Sequence, residues 1–106
     1  DYVYVGGDTT NKIYKLYKSN LSQVAASFDY GSPIYALAVD NDFVYVGGHA
    51  TKKVSKLNKS NLSRVAAGIS YGGNIRALAV DNDYVYVGGE STNKIYQLLN
   101  LVSLKN

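Results

Sequence analysis

The heptapeptide Asp42-Phe43-Val44-Tyr45-Val46-Gly47-Gly48 recurs, with Tyr for Phe, as Asp1-Tyr2-Val3-Tyr4-Val5-Gly6-Gly7 and Asp83-Tyr84-Val85-Tyr86-Val87-Gly88-Gly89. The copies begin at residues 1, 42 and 83, a period of 41 residues. A chain with such a period must use one small motif repeatedly, each copy burying its faces against the next. Residues 1–41 and 42–82 are full units and 83–106 a partial third. The two full units agree at 27 of 41 positions, the mark of recent duplication or of design.

Within a unit the apolar runs have strand length and are cut by turn formers. In the second unit, Phe43–Gly47 is β-branched and aromatic and stops at a Gly-Gly pair. Lys53–Leu57 follows, then the turn Lys59-Ser60-Asn61-Leu62-Ser63, then Arg64–Ser70 and Ile75–Val80. No segment sustains a 3.6-residue apolar period, so no helix of consequence is expected. Four strands in 41 residues is the size of one β-propeller blade. Ile75–Val80 and its copy Ile34–Val39 are apolar on both faces and rich in alanine. They are assigned to the crowded inner position, strand A, and predicted to be almost fully buried. Phe43–Gly47 is then B, Lys53–Leu57 is C and Arg64–Ser70 the outer strand D. Lys15 and Lys56 on strand C fit an exposed position with snorkelling side chains.

The run Val44-Tyr45-Val46-Gly47-Gly48, a polar loop, then Lys53-Val54-Ser55-Lys56-Leu57 resembles the repeat of bacterial β-propellers of the PQQ-like and YVTN-like kind. The resemblance spans the chain as about 2.6 blades and implies an all-β fold of four-stranded antiparallel blades. Quinoprotein propellers carry a tryptophan docking motif near strands C and D. This chain has no Trp there or anywhere, so no quinone or other cofactor is carried over.

The strand order reads B-C-D, A-B-C-D, A-B-C, which cannot close a ring. The chain therefore reads as a mature piece, a fragment or a designed repeat. Val3, Tyr4 and Val5 at one end match residues that a neighbour covers in the middle unit. At the other end Ile95, Tyr96, Leu98, Leu99, Leu101 and Val102 make an apolar finish. Uncovered apolar faces and strand edges favour association, so the ring is expected to be completed by homo-oligomerisation, as a dimer first of all.

Net charge is +3, too weak to imply nucleic acid or membrane. No apolar run approaches membrane-spanning length. The alternation Lys12-Ile13-Tyr14-Lys15-Leu16-Tyr17-Lys18 suits single-stranded nucleic acid, but equally a half-buried strand, and the second unit loses two of its aromatics. Asp40-Asn41-Asp42 and Asp81-Asn82-Asp83 have the opening spacing of a calcium loop without its Gly and distal Glu, so they read as turns. His49 is the single histidine, no cysteine nucleophile exists, and its counterparts Asp8 and Glu90 are unlike it, so catalysis is not expected.

The useful signal is where the units differ. The Lys-Ser-Asn-Leu-Ser and Val-Asp-Asn-Asp turns are constant. Change collects in the B–C loop, Asp8-Thr9 against His49-Ala50, and at the D–A connection. There Ser32-Pro33 faces Gly73-Asn74 and Tyr35 faces Arg76. Up-and-down strand order puts both connections on one rim. Tyr35, Arg76, His49 and Asn74 are thus the candidate ligand contacts of a non-catalytic module binding carbohydrate or protein. The alternatives are a self-assembling scaffold without ligand, or part of an enzyme whose active residues lie in a longer parent.

Overall fold

The computed structural model describes residues 1–99 apart from 8, 28, 50, 51 and 93. Ten strands form three antiparallel sheets, and no helix occurs among the described residues. Blade 1 is β1 (Tyr2–Val5), β2 (Tyr14–Tyr17) and β3 (Gln23–Ala26). Blade 2 is β4 (Ile34–Val39), β5 (Phe43–Gly48), β6 (Lys53–Asn58) and β7 (Arg64–Ser70). Blade 3 is β8 (Ile75–Val80), β9 (Tyr84–Gly89) and β10 (Tyr96–Leu99). Each sheet runs in chain order, so β4 and β8 are edge strands A and the sequence-based order is reproduced. Leu101 and Val102 of the apolar finish lie outside the described residues, as does Asp8.

The Gly47-Gly48 pair serves two contacts, and each of its copies keeps one of them. The first glycine lies under an isoleucine of the next blade: a Cβ on Gly47 would stand 2.5 Å from Ile75 Cγ2, and one on Gly6 would stand 2.9 Å from Ile34 Cγ2. The second faces its own strand A, where a Cβ on Gly48 would collide with Pro33 O and one on Gly89 with Asn74 O. Here the missing side chain permits close approach between backbones. That approach comes with a bulge. Ile34 pairs with Gly48 and Ala36 with Gly47, leaving Tyr35 as the extra residue, and Arg76 is the extra residue between Ile75 and Ala77.

Two apolar seams join the blades. Between blades 1 and 2, Ile13 and Tyr30 meet Ile34, Val44, Val46, Leu57 and Leu62. Between blades 2 and 3, Ala36, Tyr45, Val54, Ala66 and Tyr71 meet Ile75, Val85, Val87 and Leu98. The core therefore centres on strands B and C of the middle blade. The expectation for strand A needs correction. Ile34, Ala36 and Ile75 are buried, but Leu37, Ala38, Leu78 and Val80 are half-buried and Val39, Ala77 and Ala79 are exposed. Blade 1 brings no strand A against β4, and among the described residues no further blade covers the far side of β8.

The strand C lysines also differ from expectation, since Lys15 and Lys56 are only 6% and 5% exposed. The Lys15 ammonium lies 4.1 Å from the Tyr2 ring and donates to Lys59 O at 2.8 Å, in the C–D turn of the next blade. That of Lys56 lies 4.1 Å from the Phe43 ring, and burial pulls its pKa down. Aromatic faces and turn carbonyls replace the water that strand C was expected to offer.

Candidate functional site

The rim formed by the B–C loops and D–A connections is held first by main chain. His49 N donates to Pro33 O (3.1 Å), and Glu90 N donates to Asn74 O (2.9 Å). Ser32 Oγ adds a bond to His49 O at 2.7 Å. This serine engages the histidine carbonyl, not its ring. Thr9, Lys52 and Ser91 in the B–C loops hold left-handed backbone at φ 74°, 60° and 81°, conformations costly to residues with a Cβ. Such strain concentrates where loops present side chains.

The four residues singled out by sequence come together on this rim. The Tyr35 ring lies 5.9 Å from that of His49, and the Arg76 guanidinium carbon sits 4.2 Å from the centre of the Tyr35 ring. Arg76 then reaches Glu90, with Nη2 at 2.7 Å and Nε at 3.0 Å from Oε2. Asn74 Nδ2 donates to Glu90 Oε1 at 2.9 Å. The result is a ladder, His49–Tyr35–Arg76–Glu90–Asn74, crossing from blade 2 to blade 3. The bulges build it, because an extra residue in strand A turns its side chain away from the regular alternation.

Glu90 was legible in sequence only as the counterpart of His49; its presence in a variable loop was the signal for its role. The Asn74 amide and the Arg76 guanidinium hold its carboxyl below the usual carboxylate range, and His49 adds to the favourable field. Arg76 and Glu90 remain about half exposed, with side-chain exposures of 48% and 47%. Asn74 Oδ1 is buried with no hydrogen-bond partner among the described residues. A donor group placed there would satisfy it.

The opposite rim explains the Asp-rich turns. Asp40 Oδ1 accepts from Asp42 N (2.9 Å) and Phe43 N (2.8 Å), and Oδ2 accepts from the Tyr45 hydroxyl at 2.6 Å. Asp81 repeats this with Asp83 N, Tyr84 N and the Tyr86 hydroxyl. Both carboxylates are engaged by their own turns, and no cluster of three metal-ligating side chains occurs among the described residues. Within Lys12–Lys18, Lys15 is turned into the blade seam, so the alternation reflects the two faces of a strand.

The whole described arrangement of three sheets superposes on solved structures. The chain is similar to the computationally designed Ika4 protein, with a TM-score of 0.77 at 17% identity over 92% of this chain and 60% of that one. It also matches the designed Ika8 protein, with a TM-score of 0.75 at 17% identity over 92% and 30%. The RRP9 WD40 repeats give 0.67 at 15% identity over 91% and 32%. The fold is an arc of β-propeller. The arc spans less than two thirds of each of these chains. No family model and no curated protein matches the sequence.

Proposed function

We propose that this propeller arc is a non-catalytic binding module whose ligand surface is the His49–Tyr35–Arg76–Glu90–Asn74 rim, with carbohydrate as the ligand class. The observation that carries this reading is that the positions differing between units form one continuous ladder across a blade seam. Sugar hydroxyls donate and accept at once. They match a rim that offers a half-exposed guanidinium and a half-exposed carboxylate. A protein surface is the second reading, favoured by the exposed Tyr35 beside Arg76, residue types that anchor interfaces.

Titration of the chain with a panel of glycans, followed by backbone amide chemical shifts, tests the proposal. Saturable shifts confined to the rim are expected, and Arg76→Ala should weaken binding by at least about tenfold, the size of one lost charge-assisted hydrogen bond. Glycan binding that Arg76→Ala leaves unchanged, or no saturable glycan binding with the fold intact, would reject the carbohydrate reading.

A further inference from the structure

The two outward faces of the arc are the two halves of an interface that the chain already makes twice. We infer that the chain associates head to tail with a second copy, blade 1 of one molecule seating on blade 3 of the other.

The inference starts from equivalent positions. Val44, Val46 and Leu57 of blade 2 are 0%, 1% and 1% exposed against blade 1, and Val85, Val87 and Leu98 of blade 3 are 0%, 1% and 7% exposed against blade 2. The same face of blade 1 carries Val3, Val5 and Leu16. There Val5 is 42% exposed, and Val3 and Leu16 are half-buried. Opposite that face, in the first seam, stand Tyr4, Ile13 and Lys15 of blade 1. Their counterparts in blade 3 are Tyr86, Ile95 and Gln97. Ile13 is 1% exposed and Ile95 is 72% exposed. One molecule thus displays both complementary surfaces, each uncovered among the described residues. The occupant that fits blade 3 is therefore the blade 1 face of another copy.

A conformational observation points the same way. Leu62 and Leu21 occupy the same place in the constant C–D turn, both in left-handed backbone, at φ 63° and 61°. That region is unfavourable for leucine. At Leu62 burial compensates: the side chain is 1% exposed within the first seam. Leu21 bears the same strain with 60% of its surface in water. It is set in the posture of a seam residue without a seam.

Polar contacts carry over as well. Lys59 Nζ stands 5.9 Å from the Tyr4 ring across the first seam. Its counterpart Lys18 would meet Tyr86 of the other copy. Lys15 donates to Lys59 O, and Gln97 would offer its amide to the matching carbonyl of Lys18. The interface joins unlike faces, so every open assembly keeps one of each free at its ends until the ring closes.

Sedimentation of the full chain tests this through complementation. Between about 1 and about 300 µM the mean mass should rise from 11.5 kDa to at least twice that value. Leu21→Asn, which suits the left-handed turn, disables one face, and Ile95→Lys disables the other. Each variant alone should lose association by tenfold or more in apparent Kd. An equimolar mixture should recover a dimer and nothing larger, because one good face survives on each partner. Val5→Lys and Ala79→Lys repeat the pair if either first variant fails to fold by circular dichroism. Three results would overturn the proposal: a wild-type monomer over the whole range, variants that associate as before, or a mixture no heavier than its components. The last would mean like faces pair.

Discussion

The two rims of the arc solve the same problem with different shares of side chain and main chain. On the A–B and C–D side, side chains bond their own backbone. Asp40 and Asp81 each accept from two amides, and Asn20 and Asn61 accept from Ser22 N and Ser63 N. The residues are the same in each unit because the turn needs those oxygens. On the B–C and D–A side, main-chain bonds tie the two connections together, His49 N to Pro33 O and Glu90 N to Asn74 O, and side chains that change between units only add to them, as where Asp29 Oδ1 accepts from Gly31 N and Ser32 Oγ donates to His49 O. Main-chain bonds do not depend on side-chain identity. The bonds that join those two connections therefore survive a change of residue, and the variable side chains meet across the seam where Arg76 stacks on Tyr35.

The contrast can be broken at three strengths. Asp40→Ala should cost the most, about 1–3 kcal/mol in denaturant unfolding, because it strands two amides and the Tyr45 hydroxyl. A change near zero would remove the distinction between the rims. Acid comes next. The amides of Asp83 and Tyr84 hold the Asp81 carboxyl below its ordinary range, and Asn74 and Arg76 do the same for Glu90. A lowered folded-state pKa stabilises the fold above the unfolded value and ceases to do so as pH falls through the folded one. Melting temperature should therefore fall below the ordinary carboxylate range, and Asp81→Asn should flatten that fall; an unchanged acid profile would contradict it. The smallest effect is expected from Arg76→Ala, within about 0.5 kcal/mol, since its ion pair is half in water. A loss of several kcal/mol would make the ladder a structural brace.

Much of the architecture was legible in residues that recur. Val-Tyr-Val-Gly-Gly gave strand B and its stop, and the constant turns gave the up-and-down order. The gathering of Tyr35, His49, Asn74 and Arg76 was legible from variation alone. The bulge was not. Alternation assigns Tyr35 a regular pleat position, and only the collision that a Cβ on Gly48 would make with Pro33 O shows how close the strands come there. The buried lysines were hidden for a related reason. A strand pattern records which face a residue takes, not that another blade will bring Ser60 O and Lys59 O over Lys15. Strand A misled because its burial depends on whether neighbouring blades bring their own strand A against it, as blade 1 does not, which no local pattern encodes. Leu37→Ala, expected from the sequence to cost what a fully buried leucine costs, acts at a half-buried site.

Tyr30 has a further consequence. Its amide donates to Asn11 O in blade 1 and its hydroxyl to Lys53 O in blade 2, at 2.7 Å each. Tyr71 repeats the arrangement with Lys52 O and Lys94 O. Apolar sheets in contact can slide and pivot over one another at little cost, whereas a rigid phenol anchored at both ends fixes the pivot. The angle between successive blades is thereby written into each repeat as a short molecular ruler. An array lengthened by further units that kept this tyrosine would repeat the same pair of bonds at each new seam.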